Sequence, residues 1–322
     1  MALALPYTLR VSVLEQCQFR CPYCLPGSLN GFTQKENWLT AAHYLHFAHA
    51  LKALAVPLKK IRFTGGEPLL RPDLPNVVAA FRSVFNDAEL CLTTNGKLLP
   101  RRFDQLVSAG LRSVNLHIDT LKDERYQTLM GSGSVSDILT TLRLVKPRLT
   151  TLKINVVVQK NLNDDELCDF LDLSKELGVE VRFIELMNTG SAQNHVKLHR
   201  MSGKEIVGRI AASGSVRAMA RRSPEDPAAL YFDDARGIHF GVIASDSEPF
   251  CAACRRLRLT AFGRLKGCMY EPGGMDFGSD LRQQVPLEML CQKLAVAIAS
   301  KASFHPKSNR KRALFSMADI GG

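Results

Sequence analysis

Short segments rich in β-branched residues alternate with amphipathic segments along the first two-thirds of the chain. Six segments have the composition and turn signals of strands: LRVSVLE, KIRFTGG, ELCLTTNG, SVNLHID, LKINVVVQ and EVRFIEL. Between them lie segments with the apolar spacing of helices, such as AAHYLHFAHALKAL, FDQLVSAG, VSDILTTLRLVK and NDDELCDFLDLSKELG. These repeated βα units predict parallel strands joined by right-handed crossovers.

The two faces of the predicted strands differ in polarity, which favours a barrel over a doubly wound sheet. In the fifth segment, Lys153 and Asn155 alternate with apolar residues, and Arg10 and Arg62 do so in the first and second. A sheet covered by helices on both faces would have nearly continuous apolar strands. A barrel can instead hold a polar, ligand-binding interior. We therefore predict an α/β fold built on a partial (β/α)6 TIM-like barrel.

The pattern changes after about residue 190. Beyond it the sequence predicts a helix, short strands with turns, an amphipathic segment and a basic tail, at residues 200–213, 214–250, 286–301 and 305–312. We place a loose domain boundary so that residues 1–214 form the barrel. Residues 215–322 are then a C-terminal α+β region.

Composition limits the class of protein. The 322 residues are 46% hydrophobic and 23% charged, which excludes a disordered or collagen-like chain. No uncharged apolar run approaches the ~20 residues of a membrane helix, and the N-terminus lacks the basic region of a signal peptide, so we expect a cytoplasmic protein. The net charge of +11 indicates an anionic partner or simply a basic surface.

Six of the nine cysteines form two groups of three: Cys17, Cys21 and Cys24, and Cys251, Cys254 and Cys268. In a reducing compartment, clustered cysteines indicate metal or redox chemistry rather than disulfides. A structural zinc site uses four ligands. Three cysteines can instead hold three corners of a 4Fe–4S cube and leave the fourth iron open. The spacing favours two such clusters over one zinc site with two spare thiols.

The first cysteine group resembles the cluster loop of radical S-adenosylmethionine enzymes. The pattern C-x3-C-x2-C carries an aromatic residue before its last cysteine, and TGGEPLLR at 64–71 resembles the glycine-rich segment of the same superfamily. Taken alone, GGEP would indicate an ordinary turn. The resemblance implies that the first group holds a 4Fe–4S cluster that binds S-adenosylmethionine. It also implies S-adenosylmethionine contacts at Tyr23, Gly66, His117 and Met187.

The second cysteine group narrows the resemblance to one family. FCAACRRLRLTAFGRLKGCMYEP and the ending MADIGG are similar to segments of the GTP 3′,8-cyclases, which begin molybdenum cofactor (molybdopterin) synthesis. The resemblance extends over nearly the whole chain. It implies a lyase that converts GTP to 3′,8-cyclo-7,8-dihydro-GTP after a 5′-deoxyadenosyl radical abstracts hydrogen from the ribose. The chain departs from the family pattern at His117, usually Ser, and at Gln16 and Arg255.

The same resemblance assigns residues to the substrate. It implies a second 4Fe–4S cluster at Cys251, Cys254 and Cys268, with its open iron at the guanine base. It implies GTP contacts at Arg10, Arg62, Thr93, Lys153, Arg256, Leu257 and Arg258. Arg256, Gly321 and Gly322 match positions with a catalytic role, and a disordered terminus is the alternative for the diglycine end. The strand alternation independently puts three of these cations on one polar face, and guanidinium groups suit phosphate oxygens.

The expected partners follow from this chemistry. They are GTP, an electron donor such as flavodoxin or ferredoxin, and a downstream cyclic pyranopterin monophosphate synthase. A homodimer is left open, whereas no membrane or nucleic-acid partner is expected, because no aromatic residues interleave with the basic ones. Two alternatives remain at this point: a two-cluster radical enzyme that matures peptides, and a zinc-stapled basic module that binds nucleic acid.

Overall fold

The computed structural model describes residues 7–24, 38–188 and 193–303. Its strands are β1 (Tyr7–Ser12), β2 (Leu58–Thr64), β3 (Glu89–Thr94), β4 (Ser113–His117), β5 (Thr151–Val158), β6 (Glu180–Glu185), β7 (Val216–Met219), β8 (Ala229–Asp233), β9 (Ile238–Ile243), β10 (Arg256–Leu259), β11 (Arg264–Lys266) and β12 (Met275–Asp276). Its α-helices are α1 (Ala41–Ala53), α2 (Leu74–Val84), α3 (Leu99–Ser108), α4 (Asp123–Met130), α5 (Val135–Val145), α6 (Leu167–Leu177), α7 (Gln193–His199), α8 (Gly203–Ala211), α9 (Gly278–Arg282) and α10 (Leu287–Ser303). No helix in these ranges is long and apolar enough to span a membrane.

The strands of the described residues form one curved sheet in the order β12-β11-β10-β1-β2-β3-β4-β5-β6-β9-β8-β7. From β10 to β9 neighbouring strands are parallel. Antiparallel strands extend the sheet at both edges, β11 and β12 beyond β10, and β8 and β7 beyond β9. The six predicted βα units and the partial barrel are confirmed. The sheet order leaves its two edges unpaired with each other, so the barrel is open.

Period-two alternation separates the two faces of the barrel strands. On β5 the residues from Leu152 to Val158 are alternately buried and partly exposed. The apolar face packs against the helices, with the rings of Phe63 on β2 and Phe81 on α2 at 5.7 Å and nearly edge to face. The polar face is concave and lines the interior, as the sequence predicted.

Helices α1 and α8 begin where a short polar residue satisfies a free N–H group of the first turn. Thr40 caps α1 and Ser202 caps α8, each by accepting a hydrogen bond from the third helical residue. In α8 the Glu205 carboxylate also accepts from the Ser202 N–H, at 2.8 Å. These local signals fix the register of the helices against the apolar face of the sheet.

The segment after the second cysteine pair is part of the barrel sheet. β10 pairs in parallel with β1, placing Leu257 beside Leu9 and Arg258 beside Arg10. Both leucines are fully buried in the core, so the two arginines turn toward the concave face. A four-residue strand containing two arginines is too short and too polar to be recognised from periodicity. The domain boundary near residue 215 stays a prediction.

Candidate active site

A cavity of about 520 Å³ occupies the concave side of the sheet. Each of the six barrel strands contributes to its wall, through Arg10, Arg62, Thr93, His117, Lys153 and Arg182. The size is typical of sites for nucleotides and other small ligands. One end of the cavity lies at the loops that follow the strands, and the other lies at the beginnings of the strands.

The first cysteine group lines the loop end of the cavity. Cys17, Cys21 and Cys24 all contribute to its wall, and the Cys24 N–H donates to the Cys21 carbonyl at 2.9 Å to form a tight turn. Burial raises the pKa of the Cys17 and Cys21 thiols to about 11. Three thiols at one end of a shielded cavity fit an iron–sulfur cluster, because thiolates are the ligands such clusters prefer.

The glycine-rich segment packs directly on the backbone of the cysteine loop. A side chain at Gly65 would place its Cβ 2.3 Å from the Leu14 carbonyl oxygen, and one at Gly66 would lie 2.2 Å from that of Gln16. Gly65 also has φ of +147°, which disfavours other residues. The family resemblance implied a ligand contact at Gly66. The structure shows that both glycines also allow the two loops to meet.

Glu67 connects the glycine segment to the end of β3. Its fully buried carboxylate accepts hydrogen bonds from Thr94 Oγ1 at 2.7 Å, Asn95 N at 2.8 Å and Leu69 N at 3.0 Å. Burial raises the pKa of Glu67 to about 7 despite these donors. The carboxylate is part of the cavity wall near the thiols, so it contributes to the electrostatics of the ligand site as well as to the loop structure.

A hydrogen-bonded network connects the cysteine loop to β4. The Tyr23 hydroxyl donates to Asp119 Oδ2 at 2.6 Å and lies 2.7 Å from His117 Nε2. Burial acts to lower the pKa of His117, but the Asp119 carboxylate outweighs it and raises that pKa to about 10. Asp119 is fully buried and also accepts from the Val157 N–H at 2.8 Å. His117 is therefore an anchored member of a network, as well as a cavity residue.

Arginines form a row across three neighbouring strands at the middle of the cavity. Register places Arg258 on β10 and Arg62 on β2 on either side of Arg10 on β1. Burial holds the pKa of Arg10 well below its usual value, and the charges of Arg258, Arg256 and Arg62 lower it further. Burial likewise lowers the pKa of Arg256 to about 10. Like charges this close favour an anion among them.

A second set of cations lies nearer the beginnings of the strands and is paired with carboxylates. Lys60 lies 2.7 Å from Glu89, and Lys153 lies 3.2 Å from Glu180. Burial lowers the pKa of Lys153 to about 8, and the neighbouring Arg182 adds to this effect. Sequence analysis had missed Lys60 and Arg182. Both lie in the same period-two alternation as the predicted cations, so the signal was present.

The second cysteine group lies beside the arginine row and outside the cavity wall. Cys251 opens a short 3-10 turn and accepts from the Cys254 N–H at 3.2 Å. Burial acts to raise the pKa of Cys254, but Lys301 and Arg256 outweigh it and lower the value. Cys268 interacts electrostatically with Cys254, and burial raises its pKa. In the described ranges no three Cys, His, Asp or Glu side chains are gathered as for a single metal ion.

Some of the remaining predicted site residues line the cavity and others do not. Met187 lines the loop end of the cavity, and Thr93 accepts a hydrogen bond from Arg62 Nη1 at 3.2 Å. The side chain of Leu257 is fully buried in the core on the opposite face of β10, so it is not part of the cavity wall. Gly321 and Gly322, like the basic tail at 305–312, lie outside the described residues.

Comparison with known proteins agrees with this geometry. Residues 11–174 match the Radical SAM superfamily, and residues 179–307 match the family described as Molybdenum Cofactor Synthesis C. A curated GTP 3′,8-cyclase of Moorella thermoacetica is 34% identical over 98% of this chain and 97% of its own length. The chain belongs to the GTP 3′,8-cyclase family. A member from Clostridium acetobutylicum is 31% identical over 98% of this chain and 96% of its own length.

Solved structures agree at the level of the fold. The crystal structure of Streptococcus suis SuiB gives a TM-score of 0.62 at 13% identity, covering 94% of this chain and 69% of that one. SuiB bound to S-adenosylmethionine gives a TM-score of 0.57 at 12% identity, covering 83% of this chain and 61% of that one. The superfamily to which the cyclase family belongs uses a 4Fe–4S cluster and S-adenosylmethionine, and the three-thiol end of the cavity fits them.

We predict that Gly66→Ala separates the glycine segment from the cysteine loop, because the new Cβ would lie 2.2 Å from the Gln16 carbonyl oxygen. The free energy of unfolding should fall by about 1–3 kcal/mol, and iron bound after anaerobic reconstitution should decrease. Denaturant unfolding and iron analysis measure the two effects. Gly208→Ala is the matched control, since a Cβ there has no heavy atom within 4 Å. Equal unfolding energies in wild type and Gly66→Ala would contradict the packing argument.

We further predict that anion binding weakens as Lys153 loses its charge near pH 8. Affinity for inorganic tripolyphosphate should fall about three- to tenfold between pH 7 and pH 9, a change of ~0.6–1.4 kcal/mol. The pKa of Lys153 is lowered, so the charge is present below about pH 8 and lost above it. In Lys153→Arg the guanidinium stays charged, so the slope should become shallower and retain only the contribution of other cavity groups such as Glu67, whose pKa is about 7. Calorimetric titrations that give parallel pH profiles for both proteins would refute this role of Lys153.

Proposed function

We propose that this protein converts GTP to 3′,8-cyclo-7,8-dihydro-GTP, the first step of molybdenum cofactor synthesis. The observation that carries the proposal is the arrangement of the cavity. Three cysteine thiols line one end, and a row of arginines crosses the strands beyond it. A nucleotide triphosphate could extend along this interior, with its phosphates at the cations and its ribose turned toward the thiol end. The curated relatives named GTP 3′,8-cyclase support the choice of nucleotide.

The thiol end of the cavity supplies the residues for the cofactors. Cys17, Cys21 and Cys24 would hold the 4Fe–4S cluster, and Tyr23, Gly66, His117 and Met187 would position S-adenosylmethionine. When bound, these groups supply the one-electron reduction and the radical chemistry that breaks the ribose C3′–H bond of GTP. The chain's own contribution is orientation and shielding. Asp119 holds Tyr23 and His117 in place, and the close loop packing at the glycines limits access of water.

The cations orient the substrate from the other side. Arg10, Arg62 and Arg256 offer forked donors that match phosphate oxygens in pairs, and Lys153 adds a point charge. Thr93 holds the Arg62 guanidinium at 3.2 Å, so the donors are partly preorganised before a ligand arrives. Arg258 lies beside Arg10 in the same row and adds a further positive charge there. The side chain of Leu257 is buried in the core on the other face of β10. We therefore propose that Leu257 contacts GTP through its backbone.

The second cysteine group is proposed to hold a second 4Fe–4S cluster at the base-binding side of the site. Cys254 is immediately followed by Arg255 and the cavity residue Arg256, so one segment connects the thiols to the substrate cations. The charges of Lys301, Arg256 and Arg258 lower the pKa of Cys254, which favours the thiolate state that iron requires. This ligand set leaves one iron without a cysteine, at the side of the guanine base.

The partners, the role of the diglycine end and the cellular compartment are proposed from family membership and from the sequence. An electron donor such as flavodoxin or ferredoxin would supply the reducing equivalents, and a cyclic pyranopterin monophosphate synthase would take the product. Gly321 and Gly322 would complete the site together with Arg256. We propose that the protein acts in the cytoplasm.

Anaerobic turnover tests the reaction itself. Reconstituted protein incubated with GTP, S-adenosylmethionine and dithionite should form 5′-deoxyadenosine and the cyclised nucleotide, both detected by mass spectrometry. Deuterium placed at C3′ of GTP should appear in 5′-deoxyadenosine, and deuterium placed at C4′ should not. The second label is the matched control for the position of hydrogen abstraction. Deuterium transfer from neither position during verified turnover would rule out the proposed step.

The second cluster is tested by the iron content of cysteine variants. Anaerobically reconstituted protein should contain about eight iron atoms per chain, and Cys254→Ser about four. Cys291→Ser is the control, because this thiol belongs to neither cysteine group and instead donates from α10 to the Ala50 carbonyl of α1 at 3.7 Å. We expect the control to keep all of its iron. A wild-type content of about four, or zinc in place of iron, would overturn the second cluster.

A further inference from the structure

The connection between β7 and β8 crosses the end of the cavity opposite the first cysteine group. Residues 220–227, called the crossing segment here, contribute five residues to the cavity wall: Arg222, Ser223, Glu225, Asp226 and Pro227. Their ion-pair partners lie at the beginnings of two strands on different sides of the open barrel, β2 and β6. The crossing segment therefore closes the interior at the end where the strands begin.

Ion pairs hold the crossing segment in this position. Arg222 lies 2.7 Å from Glu180 and Asp226 lies 3.3 Å from Arg182, both on β6. On the other side of the opening, Glu225 lies 3.9 Å from Lys59 on β2.

Apolar packing contributes little to this closure. None of the eight residues of the crossing segment is buried. Four of them are exposed, namely Ala220, Arg221, Arg222 and Pro224. The Arg222 side chain is 45% exposed and the Lys59 side chain 65%, so these pairs are screened by solvent and salt. The pair between Asp226 and Arg182 is more shielded, with side chains 15% and 8% exposed, so it is the main contact that holds the segment in place.

The carboxylates near the crossing segment also contact two cations of the cavity wall. Arg182 donates to Glu180 at 2.5 Å as well as pairing with Asp226, and Lys153 lies 3.2 Å from the same Glu180. Arg182 and Lys153 both line the cavity. Glu180 and Asp226 are therefore internal anions that pair with Arg182 and Lys153. A polyphosphate entering the cavity would compete with these carboxylates for the same two cations.

We propose that the crossing segment is a gate, latched by Asp226 and Glu180, that the polyphosphate of the nucleotide opens. A polyphosphate binds more tightly to the state in which Arg182 and Lys153 are released from their carboxylates, so its binding shifts the population toward the open gate. This inference rests on the proposed function, because it assumes a nucleotide polyphosphate in the cavity. The proposal assigns a gating role to Asp226. Among the described residues, Arg182 is the one cavity cation with which Asp226 forms an ion pair.

The matched variants Asp226→Asn and Asp234→Asn test the gate. Asparagine at 226 keeps an oxygen that can accept from the Ala228 N–H, at present 3.1 Å from Asp226 Oδ1, but removes the charge that pairs with Arg182. Asp234 pairs with Arg217 at 2.9 Å on the neighbouring strands and is not part of the cavity wall, so its variant controls for the loss of a carboxylate. Far-ultraviolet circular dichroism and thermal unfolding verify that both variants are folded.

The first readout is tryptic cleavage after Arg221 or Arg222, followed by mass spectrometry without nucleotide. At low salt, Asp226→Asn should be cleaved about three- to fivefold faster than wild type, and Asp234→Asn at the wild-type rate. In wild type, inorganic tripolyphosphate should accelerate the cleavage. Equal rates in wild type and Asp226→Asn, or protection by tripolyphosphate, would overturn the gate.

The second readout is the association rate of GTP measured by stopped flow. Asp226→Asn should bind about threefold faster than wild type, because the gate opens more often and Arg182 has one competitor fewer. Slower or weaker binding would show that Asp226 positions Arg182 for the ligand, and would overturn its role as a latch. Failure of wild type to bind GTP by calorimetry would refute the proposed function. The ligand-free cleavage rates would still decide whether Asp226 latches the crossing segment.

Discussion

Repulsion between buried guanidinium groups is the constraint around which the interior of this protein is organised. Arg258, Arg10 and Arg62 lie in one row on three hydrogen-bonded strands, so the backbone register sets their spacing. Burial and the charges of Arg258, Arg256 and Arg62 hold the pKa of Arg10 well below its usual value, so keeping these charges inside costs free energy. The apolar faces of the same strands, including Leu9 and Leu257, provide the burial that offsets this cost. An interior of this kind is preorganised for a polyanion.

The constraint also explains the connection between the two halves of the chain. One arginine of the row comes from β10, which follows the second cysteine pair, and the others come from β1 and β2. Because β10 pairs with β1, the residues around Cys254 are held beside the strand that leads into the first cysteine loop. The proposed second cluster and the cofactor end of the cavity are thus positioned by adjacent strands of one sheet. A C-terminal unit tethered only by a linker would not fix this geometry.

The sequence predicted those features that depend on local periodicity or on close spacing along the chain. Alternation on β5 identified Lys153 as an interior residue, and the same alternation would have identified Lys60 and Arg182 had it been followed along β2 and β6. Contacts between distant positions could not be found in this way. Tyr23 meets Asp119 only because the sheet brings β4 under the cysteine loop, and Gly66 meets Gln16 only because the loops after β1 and β2 are packed together. Such contacts depend on tertiary register, which periodicity does not encode.

The cavity contains two kinds of cation, and their difference has a physical reason. The arginines at its middle repel one another on neighbouring strands, whereas Lys153 and Arg182 near the strand beginnings share the Glu180 carboxylate. If every interior cation lacked a carboxylate, the empty barrel would concentrate positive charge around one cavity and lose stability. If every cation were paired, an anion would gain little by entering, because each contact would first have to be broken. The ion pairs with Glu180 near the strand beginnings offset part of this positive charge, while the arginine row keeps the middle of the cavity attractive to phosphate. Because the sheet register sets the positions of both kinds of cation along the strands, it also sets which of them a triphosphate contacts first.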